Sequence, residues 1–173
     1  MKPVVQPIDL PAPPFELFRR LAHLPQPIFL DSADAPARMG RFSFLAADPF
    51  LRIHSKNGQV TVNGRTQTAD PFEVLRHHWR QYPLETAPIP PPFQGGAAGF
   101  WSYDLAHHLE RLPRPPLDEL GMADMDIGFY DCLLAIDHAG GRNRGWLIAS
   151  GYPEASPAAR RRRAEARIAH FRA

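Results

Sequence analysis

The sequence has 173 residues, enough for one domain with an appended element. Its hydrophobic content of 44% is that of a globular protein, and a chain of this length buries roughly 70% of its unfolded surface on folding. Twenty basic residues against 18 acidic ones leave a net charge of only +2, too small a bias to imply a nucleic-acid partner.

In chain order, Met1 to Pro14 is Pro-rich and reads as extended. Phe15–Leu24 follows as a helix with Phe15, Phe18, Leu21 and Ala22 on one face, stopped by Pro25 and Pro27. Ile28-Phe29-Leu30 reads as a short buried strand ending at Asp31-Ser32, and 34–40 as a loop. Arg41–Ala47 reads as the next strand, turned by Asp48-Pro49. Phe50–Ser55 and Gln59–Val62 form a hairpin about Asn57-Gly58, and Asn63-Gly64 turns the chain again into Arg65–Thr68. This is an antiparallel meander.

Asp70-Pro71-Phe72-Glu73 is a helix start. Asp70 can accept from exposed amides, Pro71 suits the first helical position and Glu73 stands at the capping-box position. Phe72, Leu75, Trp79 and Tyr82 form the apolar stripe behind it, and Pro83 ends it. Gly95–Tyr103 reads as a strand whose glycines imply that another backbone, or a ligand, comes close. A short helix from Asp104 to Arg111 and a proline loop lead to Asp126–His138, read as one strand with Gly145–Ser150 as its hairpin partner. Ser156-Pro157 opens a basic terminal helix. The 20 prolines and the prevalence of hairpins over βαβ units give an α+β fold, mainly antiparallel sheet with flanking helices.

Chemistry is sparse. His107 and His108 with Asp104 and Glu110 lack the spacing of a known zinc motif and read as solvent-facing or half-buried. Arg160–Arg163, Arg167 and Arg172 have no interleaved aromatic residues to stack bases, so the terminal helix reads as solvated or as packing on something beyond this domain. The single cysteine, Cys132, lies in an apolar strand as an inert thiol and excludes an intrachain disulfide, which fits a reducing, cytoplasmic setting. No signal-peptide pattern and no apolar run long enough to span a bilayer is present. The glycine run Gly95–Gly99 matches no phosphate-loop pattern, and no triad or carboxylate pair stands out.

Three segments, taken together and in order, resemble component I of the aminodeoxychorismate and anthranilate synthases. They are 27–33 with Gly40–Pro49, Gly95–Leu105 running into Leu109–Pro113, and Asp126–Asp131 with Asp137-His138. The likeness runs from about Pro27 to Ser150 and is similar to the opening of those chains. It implies an α+β N-terminal domain over 1–153, with a basic helix over 154–173 leading toward a catalytic domain absent from this chain. By the same resemblance, chorismate and Mg²⁺ belong to that absent domain, so this chain is expected to hold no cofactor and no catalytic residue. Its expected partners are the chorismate-binding catalytic domain and a glutamine amidotransferase subunit, with tryptophan as a ligand.

Members that sense tryptophan hold it with a Leu-Leu-Glu-Ser-like segment and a basic residue shortly after. Ser32 and Arg41 stand at those positions here, and a hydroxyl with a guanidinium suits an amino acid's amino and carboxylate groups. Asp31 replaces the glutamate and Phe29 a leucine, which favours the aminodeoxychorismate branch, that of para-aminobenzoate and folate biosynthesis. The anthranilate branch, of tryptophan biosynthesis, and a free-standing amino-acid-binding module stay open. So does a purely structural Arg41.

Overall fold

In a computed structural model, residues 1–32, 40–113, 117–139 and 143–172 are described. The loop expected over 34–40 (all but Gly40), the Pro115-Pro116 turn and the glycine loop at 140–142 lie outside them. Two five-stranded antiparallel sheets make up the α+β fold. The first has the order β1 (Val4–Ile8), β10 (Arg144–Ala149), β9 (Cys132–Asp137), β3 (Phe42–Ala46) and β2 (Ile28–Leu30). The second runs β6 (Arg65–Thr68), β5 (Gln59–Val62), β4 (Leu51–Lys56), β8 (Met125–Tyr130) and β7 (Gly96–Trp101).

Both Asn-Gly turns form where the sequence places them. Asn57, Gly58, Asn63 and Gly64 all have positive φ, the backbone that two-residue hairpins require. The run Asp126–His138 is not one strand. It breaks at Asp131 into β8 and β9, which lie in different sheets, so its two halves have different neighbours. The Pro-rich opening is more than extended chain, because Val4–Ile8 pairs with β10 as an edge strand. An edge tolerates Pro7, which cannot donate to a ladder.

Helix α1 (Pro14–Leu21) buries Leu17, with Phe18 and Leu21 beside it, against the first sheet. Phe15 is 59% exposed, so the inward face is turned from the expected one. Helix α2 (Pro71–Gln81) is capped as expected, the Asp70 carboxylate accepting from the Phe72 amide at 2.8 Å. Glu73 pairs with Arg76 rather than reaching back to the cap. Val74, Phe72 and Leu75 pack on the second sheet with Leu51, Ile53, Ile127 and Phe129, while Trp79 is 61% exposed. The stripe read from the sequence therefore holds at its start and fails at Trp79.

Helix α3 (Pro157–Arg172) covers the first sheet. Ala164 and Ile168 are buried against Leu134, Ile136 and Leu147, and Phe171 packs beside them. The inward residues 160, 164, 168 and 171 repeat at helical spacing, the pattern of one buried face. Three of its arginines are spent inside this domain rather than on solvent. Arg160 donates twice to the Ser150 carbonyl, at 3.1 and 3.0 Å, and stacks 3.8 Å from the Tyr152 ring. Arg163 donates to Asp131 at 2.7 Å, and Arg167 to Asp48 at 2.6 Å.

Two substitutions test this seat. Gly151 has φ +73 and its missing Cβ would lie 1.9 Å from the Arg160 carbonyl oxygen, so Gly151→Ala should cost about 3 kcal/mol or more through strain and a displaced helix. Arg167→Met should cost about 1.5–3 kcal/mol, because it removes the charge-assisted bonds to Asp48 and one of the two cations beside the fully buried Asp131. Urea unfolding midpoints check both, and losses below about 1 kcal/mol would show that α3 is not held this way.

Candidate functional site at the polar end of the first sheet

Strand β2 pairs antiparallel with β3, and β3 with β9. That register brings Asp31 and Ser32, just past β2, to the same end of the sheet as Arg41, just before β3, and Asp137, at the end of β9. The two residues singled out from the sequence thus lie at one end of neighbouring strands.

Arg41 already has a partner. Its Nε lies 2.8 Å from Asp137 Oδ1 and its Nη2 2.7 Å from Oδ2, a two-pronged pair, with the guanidinium 4.8 Å from the Phe42 ring. The Arg41 side chain is 47% exposed and that of Asp137 only 6%. Arg41 holds the Asp137 carboxyl below the usual carboxylate range, and the Ala139 amide adds to the effect. Two of the five guanidinium N–H groups are engaged with Asp137, and among the described residues nothing bonds Nη1.

Ser43 is the hub beside this pair, fully buried. Its Oγ accepts from the Ser32 amide at 3.1 Å, donates to Asp31 Oδ1 at 2.8 Å and lies 2.7 Å from His138 Nε2. The hydroxyl has one proton, and a carboxylate can only accept, so His138 Nε2–H donates to Ser43. His138 Nδ1 meets Asn143 at 2.8 Å. This is not a nucleophilic triad: the carboxylate touches the serine instead of the histidine, and the hydroxyl is out of reach of solvent. Among the described residues nothing bonds the Ser32 hydroxyl. A cation, carboxylates and hydroxyls at a sheet end suit the recognition of a charged small molecule better than bond-making.

Ser43, Asp137, His138 and Asn143 had no role in the sequence reading. Ser43 and the Asp137-His138 pair gave a signal only as parts of motifs, because a contact spanning 95 residues leaves no local trace.

Other polar groups are structural. Asp126 accepts from Arg52 Nε at 3.1 Å and lies 3.3 Å from His54 Nδ1, with Gln26 as a further donor. Burial pushes the Asp126 carboxyl up, but Arg52 and His54 together outweigh it and hold it below the ordinary range. Gly99 has φ +155 and no room for a Cβ, which would lie 2.1 Å from the Asp126 carbonyl oxygen. The close neighbour implied by the strand glycines is thus the backbone of β8. Cys132 is fully buried, and burial pushes its thiol far up, so it is inert. His107 and His108 are half-buried, and no group that could hold a metal ion occurs among the described residues. None of the described helices is long and apolar enough to cross a membrane.

No family model matches the sequence. Aminodeoxychorismate synthase component 1 of Salmonella typhimurium is 38% identical over 126 residues, 70% of this chain and 28% of that protein. The Escherichia coli protein of the same name is 35% identical over 131 residues, with the same two coverages. The chain is homologous to component I of the aminodeoxychorismate and anthranilate synthases.

Anthranilate synthase component 1 of Thermus thermophilus is 34% identical over 145 residues, 83% of this chain and 30% of that one. The crystal structure of anthranilate synthase component I from Streptococcus pneumoniae shares the fold with a TM-score of 0.60 and 28% identity, covering 84% of this chain and 32% of that chain. The chain thus spans less than a third of the length of these component I relatives.

The ion pairs at both sheets predict acid sensitivity. Asp137 and Asp126 have folded pKa values below those of the unfolded chain, so the unfolded state binds more protons as pH falls. The stability they add is complete above about pH 4 and is lost as pH drops through each folded pKa. Urea midpoints should hold from pH 7 to about 5 and fall steeply below about 4, and Asp137→Asn should flatten part of that fall. Unchanged midpoints down to pH 2.5 would refute the assignment.

Proposed function

We propose that this chain is the N-terminal, noncatalytic unit of a component I synthase of the aminodeoxychorismate branch. In this reading it supports a chorismate-binding domain that acts with a glutamine amidotransferase subunit, and the Mg²⁺ and the amination chemistry belong to that domain. The observation that carries it is the pairing of 38% and 35% identity to two aminodeoxychorismate synthases with coverage of only 28% of either. A surface fit for a partner domain supports it. Edge strand β7 and the segment after it expose Phe100, Trp101, Tyr103, Leu109 and Leu120, between 41% and 89% each. Large apolar side chains concentrated beside an unpaired strand edge mark an interaction surface.

Purified alone, the chain should convert no chorismate, with or without Mg²⁺, glutamine or ammonia. Formation of aminodeoxychorismate or anthranilate by this chain, followed by chromatography, would overturn the noncatalytic reading.

The second part of the proposal is an amino-acid pocket in which the Ser32 hydroxyl and the free Nη1 of Arg41 hold the polar groups of a tryptophan-type ligand. A charge-assisted contact of this kind, once lost, weakens binding roughly ten- to a hundredfold. Calorimetry with tryptophan should show that loss for Arg41→Ala and a smaller one for Ser32→Ala. Equal affinity in the wild type and both variants would place the ligand elsewhere. The rival in which Arg41 serves only Asp137 predicts no binding to any of them and a lower unfolding midpoint for Arg41→Ala.

A further inference from the structure

On the face of the first sheet covered by α1 and α3, a cavity of about 800 Å³ opens between the end of β1, α1 and the last turn of α3. Pockets for small molecules run from roughly 300 to 1,000 Å³, so the size suits a ligand rather than a water. Its floor is apolar: Leu17, Leu134 and Leu147 are buried core residues, and Phe171 closes one wall. Its rim is basic, with Arg20, His23, His170 and Arg172 all exposed at the mouth. Asp9 is the single carboxylate of the lining.

The rim cations are unspent. Arg19 pairs with Glu16, but its neighbour Arg20 makes no hydrogen bond or ion pair among the described residues, and neither do His23 and Arg172. Elsewhere the arginines of α3 that face the sheet have partners, Arg160 with Ser150, Arg163 with Asp131 and Arg167 with Asp48. Arg20 on α1 and Arg172 at the end of α3 are thus two guanidiniums without a partner among the described residues at the rim of one leucine-lined hollow. An apolar floor fixes a hydrocarbon or ring, and a guanidinium fork matches a carboxylate in two-pronged geometry. The cavity shares no residue with Ser32, Arg41 or their partners.

We infer that this cavity binds a small monocarboxylate with an aromatic or short aliphatic body, its ring or chain on Leu17, Leu134 and Leu147 and its carboxylate at Arg20 and Arg172. The inference does not depend on the synthase reading. Calorimetry on the whole chain with 3-phenylpropionate, its neutral amide and 2-phenylethylamine tests it. The acid should bind at least tenfold more tightly than the amide, and the amine should not bind. The exposed double variant Arg20→Gln/Arg172→Gln should cut the acid's affinity at least tenfold while leaving the amide's unchanged. Its unfolding midpoint, measured alongside, should match that of the wild type. Basic side chains also suit helix C-termini for electrostatic reasons alone; that account predicts a lower midpoint for the double variant and no preference for the acid. Equal affinity for acid and amide, unchanged affinity in the double variant, or no binding of the acid at millimolar concentration would each overturn the inference.

Discussion

Asp131 is where the two sheets are joined, and its burial with two arginines is the constraint on which the rest of the structure depends. The residue stands between β8 of the second sheet and β9 of the first, with no exposed side-chain surface. Arg163 Nε lies 2.7 Å from one carboxylate oxygen; Arg167 Nε lies 3.2 Å from the other, with its N–H off line. Arg167 also holds Asp48 through its carboxylate, at 2.6 Å, and through its carbonyl, at 2.9 Å. Asp48 sits between β3 and β4, the chain's other crossing from the first sheet to the second. One helix thus clamps both crossings. A buried carboxylate is tolerable only when paired, so α3 and the crossings must form together.

The two halves of the molecule differ in how they are covered. The second sheet packs one face on α2 and Leu105. The first sheet has α1 and α3 on one face, while Phe44, Leu133 and Ala135 on the other meet Ala98, Tyr130 and the 89–93 segment. The polar residues at the sheet end are held by this packing and do not create it. Ser43 lies on β3 between Phe42 and Phe44, which share one face of the sheet, and its hydroxyl collects Ser32, Asp31 and His138 because those strand ends converge on it.

Much of this was legible where the cause is local. The Asn57-Gly58 and Asn63-Gly64 turns and the Asp70 cap act through backbone a few residues away, so residue type and spacing sufficed to place them. Helix faces were legible only in part. Phe15 and Trp79 fit an apolar stripe in sequence, yet each is more than half exposed, because the packing of the helix on its sheet selects which part of the stripe is buried. The likeness in three separate segments pointed to the synthase relatives, since an ordered set of motifs carries more information than any one of them.

By itself, the sequence determined the mixed α+β class, the meander, the helix start at Asp70 and the kinship to component I. Tertiary structure alone decided that Asp126–His138 would be two strands in two sheets, because the break depends on arginines more than 30 residues later that neutralise Asp131. It decided, too, that Arg160, Arg163 and Arg167 of the terminal helix would face inward. A run of four consecutive arginines points in all directions around a helix, and only the positions of Asp48, Asp131 and the Ser150 carbonyl select which of them are buried. Charge pairing across the fold carries no local pattern, and so it appears only once the chain is folded.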